Sequence, residues 1–356
     1  MLAGRDRWKL DSVKLESGMR CLKAFAALSG FFLFFSGPIP MRSATAKDLA
    51  HRTPGYTVKG VVITSDGEVI PEFTVAVKHV SQKPELFPRE RFKNGEFSVN
   101  GLQKDKYQFQ ISSPRYIPAR LDFDFKSDSA GAIEYSIVIL HAYRNETRVQ
   151  PDAAYTVSVK TLEQKIPDEA QDAYMQGTKL HREGRLDEAL MQYGKAVRAA
   201  PDFVQALGDL STIYMLVHRP ESALVYLRRA HDIDDSNVII NLNIAITLTE
   251  QRDYSGAMKV FTKVLSRNPR LALTQYYIAN LKYIQQKYGE AEEHLRQAIQ
   301  NDPHLLEASL LMTNISLKKR KYDQAREALL HIREAINNEM ISKFIDERLS
   351  TLESWM

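Results

Sequence analysis

The chain has 356 residues, 44% hydrophobic and 26% charged, which excludes a wholly disordered polymer and gives apolar material for about two domains. Its one cysteine, Cys21, excludes a disulfide framework and any zinc site built on several thiolates. The formal charge of +4 suggests a nucleic-acid or membrane binder, but residues 1–46 carry seven bases and three acids and account for all of it. Residues 47–150 hold 15 bases and 13 acids, and residues 151–356 hold 26 and 28. Neither part has the sustained positive field that phosphate backbones demand, so nucleic acid is not an expected partner.

Arg20 and Lys23 precede an apolar run from Ala24 to Ser36. Gly37, Pro38 and Pro40 then break any helix, and Ala44-Thr45-Ala46 supplies small residues for cleavage before Lys47. A charged start, a short apolar run and a small-residue site make up a secretory signal, so residues 1–46 are expected to be one, starting at Met1 or Met19. The run is 13 residues, short of the ~20 that span a bilayer. Cleavage gives a periplasmic or secreted protein without cysteine. An uncleaved leader gives a membrane-anchored one.

Residues 54–145 alternate with period two between turn signals. Tyr56 to Ile63 is rich in β-branched residues, and Ser65-Asp66-Gly67 is a turn. Phe73, Val75 and Val77 alternate, as do Phe97 and Val99 after the Asn94-Gly95 turn. Tyr107, Phe109 and Ile111 follow, then Leu121, Phe123 and Phe125, then Ile133 to Ile139. Short alternating strands at this spacing predict a small antiparallel β-sandwich. The order of Val58-x-Gly60-x-Val62, Asp66-Gly67, Ile70-Pro71, Asn94-Gly95-x-Phe97, Gly101-Leu102 and Tyr107 resembles the carboxypeptidase regulatory-like domain, a transthyretin-like sandwich. Asp105 stands where that family usually has Gly. The resemblance implies an accessory module of an exported protein and no peptidase activity. Tyr116, between Pro114 and Pro118, is the candidate for an exposed aromatic.

Residues 146–167 read as a linker, with a β-like stretch at Tyr155–Val159 and an end at Ile166-Pro167. Helical periodicity follows, at a fixed interval. Ala189, Ala223, Ala257, Ala291 and Ala325 are each 34 residues apart. Tyr193, Leu227, Phe261, Leu295 and Leu329 form a bulky column in the same register, and Gly177, Ser211, Ala245, Ala279 and Thr313 a small one. Pro201, Pro269 and Pro303 share the interval, with Asp235 in the gap. A 34-residue helix–turn–helix period resembles tetratricopeptide repeats, and residues 168–340 are expected to hold five, forming an α-solenoid. The family's tryptophan is missing, and Gln176 and Lys282 occupy usually apolar positions. Residues 341–356 read as a capping helix in which Ile341 and Phe344 cover repeat five while Asp346, Glu347 and Arg348 face water.

The resemblance implies a concave groove lined by the first helix of each repeat. By family position its lining is Tyr174, Leu242, Tyr276 and Leu310, then Thr178, Thr212, Ile246, Asn280 and Asn314, then Tyr283. Asparagine offers a donor and an acceptor to a peptide backbone, and tyrosine supplies rigid contact area. Packing between repeats or against a neighbouring domain accounts for the same residues equally well.

The sequence has no H-E-x-x-H, no G-x-S-x-G and no phosphate-cradling Gly-rich loop. Asp232-x-Asp234-Asp235-x-Asn237 lacks the Gly and closing Glu of a calcium loop, which favours helix capping. His181 and His331 have no second ligand nearby in sequence, and Lys318 to Lys321 reads as a solvated turn. The expectation is therefore an exported, non-enzymatic interaction scaffold without metal or cofactor, binding protein or peptide, with association to the cell envelope. Two alternatives stand beside it: a carbohydrate-binding envelope protein using the sandwich, and a structural subunit of an envelope assembly.

Overall fold

A computed structural model of the chain describes residues 55–80, 89–125, 133–143, 164–336 and 338–353. The leader, the stretch Tyr155–Val159 and Trp355 lie outside these residues. The chain divides into two compact units. Of the described residues, those through Leu140 and those from Pro303 onward form one unit, and His141–Asp302 form the other. An N-terminal β region is followed by a helical repeat array that resembles tetratricopeptide solenoids.

The β region runs β1 Tyr56–Thr64, β2 Glu72–His79, β3 Arg89–Lys93, β4 Glu96–Leu102, β5 Lys106–Ser112, β6 Ala119–Asp124 and β7 Ile133–Leu140. One sheet has the order β4-β1-β7 and the other β3-β2-β5-β6. Alternation sends one face of each sheet inward. Val58 and Val62 from the first meet Phe73, Val75, Phe109 and Ile111 from the second in one core.

The expectation of a purely antiparallel region needs correction, because β1 and β7 pair in parallel from Thr57↔Ile133 to Thr64↔Leu140. Hairpin turns impose antiparallel pairing only on consecutive strands, and these two are joined through the other sheet, a crossover that permits parallel pairing. The sequence reading also missed β3. Its residues are Arg-Glu-Arg-Phe-Lys, and it pairs with β2 at the edge of its sheet. Charge on an edge strand blunts edge-to-edge association and hides the strand from a hydrophobic pattern.

Several motif residues acquire reasons. Gly60 opposes Phe97 across β1 and β4, and a Cβ there would run into the ring edge of Phe97. Asn94 and Gly95 hold φ of 58° and 74°, the two left-handed residues of a tight turn. Asp105 holds no left-handed conformation. Instead its carboxylate accepts from the Lys106 backbone N–H at 2.6 Å and meets His79 at 3.3 Å. Tyr116 is half-buried and packs against the core, so it is no free aromatic platform.

The helices come in pairs. The first four pairs are α1 Asp168–Arg182 with α2 Leu186–Ala199, α3 Val204–Leu216 with α4 Pro220–Ile233, α5 Val238–Glu250 with α6 Tyr254–Arg267, and α7 Ala272–Ile284 with α8 Tyr288–Asn301. The fifth is α9 Leu306–Lys318 with α10 Tyr322–Ala335, and α11 Glu339–Glu353 follows. The alanines of the 189 column are all at 0% exposure, as close helix approach requires. At Gly177 a Cβ would lie 2.7 Å from the ring of Tyr193, which is itself fully buried. Where the proline column lapses, Arg267 donates to the Asp235 carbonyl at 2.9 Å and to its carboxylate at 3.0 Å. The neighbouring Asn237 side chain accepts from the Ile240 N–H and caps α5, as the spacing favoured.

Each first helix ends alike. Gly184, His218, Arg252, Gln286 and Arg320 all take positive φ, one repeat apart. The following N–H reaches back to the carbonyl five residues earlier, as in Arg185 to Leu180 and Lys287 to Lys282. This is the Schellman closure, which satisfies the last carbonyls of the helix.

Within the unit that holds the β region, the final helices share a core with the sheet. Ile332, Ile336, Ile341, Ile345 and Leu349 cluster with Ile63 of β1, and Ile137 and Ile139 of β7 pack against them. This explains why β1 is buried without alternation at Val61, Val62 and Ile63. Ile341 and Phe344 are buried as expected, and Asp346 and Glu347 are exposed. Arg348 is buried rather than facing water, because it falls one turn from Phe344 and Ile345 on the apolar face.

Candidate functional site

The candidate surface is carried by the first helices, and its residues divide by repeat. In α1, Tyr174 and Thr178 are half-buried. The Tyr174 ring lies 5.7 Å from Tyr193 and 4.9 Å from Phe203, and Thr178 donates to the Tyr174 carbonyl at 3.0 Å. In α3, Thr212 is half-buried and donates to the Gly208 carbonyl at 3.1 Å. Both hydroxyls are thus turned back on their own helices.

In α5 and α7 the corresponding positions are buried: Leu242, Ile246, Tyr276, Asn280 and Tyr283. Tyr276 contacts Tyr277 at 5.6 Å and Tyr283 contacts Tyr288 at 5.7 Å. Asn280 is 1% exposed, and its Nδ2 has no hydrogen-bond acceptor. An amide donor held from water without a partner is costly, by about 1–3 kcal/mol. Leu310 and Asn314, both half-buried, belong to α9 in the other unit, where Leu310 packs against the cluster of Ile63 and Ile345.

The two departures from the apolar pattern are accommodated locally. Gln176 is exposed. Lys282 donates to Glu290 at 2.6 Å, and this hydrogen bond holds the Glu290 carboxyl below its ordinary range. Glu250, at the end of α5, is driven the other way, its pKa raised well above the usual value by burial. His181 is buried with Nδ1 at 3.4 Å from the Tyr193 hydroxyl, and His331 pairs with Ser309 at 3.0 Å. Among the described residues no group of three His, Cys, Asp or Glu is placed to hold a metal ion. Also among these residues, no helix is long and apolar enough to cross a membrane.

The sequence reading missed a second feature, a cleft among α2, α3 and α4 around a stacked pair, Tyr214 and Tyr226. Its residues come from three helices at no common spacing, so one-dimensional periodicity does not reveal it.

The family model of the tetratricopeptide repeat protein 21 second ARM domain matches residues 242–320. Human protein O-mannosyl-transferase TMTC3 is 29% identical over 111 residues, 31% of this chain. The chain spans 12% of the length of that relative. Among solved structures, MamA of Desulfovibrio magneticus is 15% identical over 48% of this chain and 95% of its own, with a TM-score of 0.41. The pilF protein of Pseudomonas aeruginosa is 21% identical over 53% and 89%, with a TM-score of 0.44. PilW, a type IV pilus biogenesis factor, is 17% identical over 50% and 84%, also at 0.44. With a 34-residue period, paired helices and a matching family model over residues 242–320, the C-terminal part of the chain is a helical repeat array that resembles tetratricopeptide and armadillo repeats.

Proposed function

We propose that this chain is a non-enzymatic interaction scaffold that takes a protein or peptide segment along the first helices of its repeats, α1, α3, α5 and α7. The observation that supports it best is Asn280, a buried amide donor without an acceptor between Tyr276 and Tyr283. When the covering side chains move aside, a main-chain carbonyl of an incoming segment completes that bond irrespective of sequence. Asn314 repeats the amide at the same position of repeat five. The match to TMTC3 spans 12% of that protein and gives no ground for placing transferase chemistry here.

The proposal extends to two finer points. The β region is a sandwich of the carboxypeptidase regulatory-like kind, a reading supported by two sheets that share one core. The scaffold works in the periplasm or outside the cell, at or near the envelope, supported by the charge and cleavage pattern of residues 1–46.

Asn280→Ala tests the binding role. An unsatisfied amide is destabilising, so its removal is expected to leave the melting temperature unchanged or raise it while partner capture falls at least about tenfold. Capture is read by mass spectrometry of proteins retained from a solubilised native envelope, with Asn314→Ala measured alongside. A retained set that both variants hold as strongly as the parent chain refutes the proposal.

A further inference from the structure

The cleft among α2, α3 and α4 has a volume of about 490 Å³ and includes none of the positions assigned above to the groove. Leu190 and Val197 of α2 and Leu210 of α3 give it an apolar lining. Tyr214 and Tyr226 stack beside it at 5.4 Å, with 6° between ring planes. Burial, then the proximity of Tyr226, raises the Tyr214 pKa, so its hydroxyl stays protonated at neutral pH.

Three cations stand around this lining: Lys195, Arg198 and Arg229. No carboxylate of a described residue lines the cleft, and none of the three is ion-paired with a described residue. Other cations of the same unit do have carboxylate partners: Arg185 meets Glu183 and Glu188, Arg267 meets Asp235, and Lys282 meets Glu290. The rim is also apolar. Met191 on α2 is 61% exposed, and Val225, one turn before Arg229 on α4, is 65% exposed. Tyrosine, methionine and arginine around a small apolar depression are the composition of protein–protein hot spots. Three cations are fewer than the clusters of four to eight that hold anionic membranes.

We propose that this cleft docks an acidic protein segment carrying a large apolar side chain beside carboxylates, the side chain entering between α2 and α4 and the carboxylates meeting Lys195, Arg198 and Arg229. This surface is distinct from the face that carries Asn280, and the two readings stand or fall separately.

The test titrates the full chain against an array of short synthetic peptides with Asp and Glu beside Leu, Phe or Trp. A matched array carries Asn and Gln in their place. Acidic peptides are expected to bind with an affinity that falls as salt rises. Binding is expected to weaken at least about tenfold for the neutral array and for the Arg198→Glu, Arg229→Glu double variant, whose far-ultraviolet circular dichroism stays unchanged. Asn280→Ala is expected to bind as the parent does. Failure of every acidic peptide, equal binding of the neutral array, or undiminished binding by the double variant overturns the proposal. Loss of peptide binding in Asn280→Ala reassigns the peptide to the groove and equally overturns it. Co-sedimentation with phosphatidylserine–phosphatidylcholine vesicles in place of peptide binding assigns the cations to a membrane surface, with the same result.

Discussion

Gln286 closes α7 with φ at 61°, a conformation that costs a residue with a Cβ about 1 kcal/mol or more. Its side chain is exposed, so little is lost on truncation. Gln286→Gly is therefore expected to raise the unfolding free energy by about 0.5–1 kcal/mol, the relief of strain outweighing the extra freedom of glycine in the unfolded chain. Urea denaturation with an unchanged slope is the check, and a fall in midpoint refutes the argument. The same position shows what a sequence hides. The alanine column at 189 was legible because close helix approach tolerates almost nothing else. The left-handed column was not, because only Gly184 fills it with glycine while His218, Arg252, Gln286 and Arg320 bear the strain. Asn280 was singled out by family position alone, but its missing acceptor depends on three-dimensional surroundings that no spacing encodes.

At the scale of elements, β1 and β4 are held in register by the fit of one glycine to one ring. Gly60 faces Phe97, whose ring also meets Phe73 at 6.3 Å and Phe92 at 6.1 Å. Gly60→Ala drives a methyl group into that ring and is expected to destabilise the protein by about 1–3 kcal/mol. Phe97→Leu combined with it recovers part of the loss, and the double-mutant cycle measures the coupling; additive effects show that the ring is not the obstacle. Strands with hydrophobic alternation were readable from residue order, β3 was not, and the parallel pairing of β1 with β7 could not be, since periodicity reports which face is buried and never which strand lies alongside.

At the scale of the whole chain, the final helices and the first strand belong to one core. Ile345 and Ile63 are both fully buried in the same cluster. Ile345→Ala is expected to cost about 2–5 kcal/mol and to lower hydrogen-exchange protection in β1 and β7 as well as in α11, while α3 in the other unit keeps its own. Unchanged protection in β1 refutes a shared core. The sequence led to the expectation that α11 covers repeat five but not that it also meets the sheet, because any neighbour of sufficient area satisfies the same apolar pattern. This closure also orders events during synthesis. The β region emerges from the ribosome before the repeats, yet Ile63, Ile137 and Ile139 lack their cover until α10 and α11 have been made. The repeats of the middle unit, built from local contacts, complete themselves meanwhile. Until the C-terminal helices arrive, the nascent sheet offers an uncovered aliphatic patch, and a ribosome that stalls before α11 leaves a chain disposed to aggregate through it.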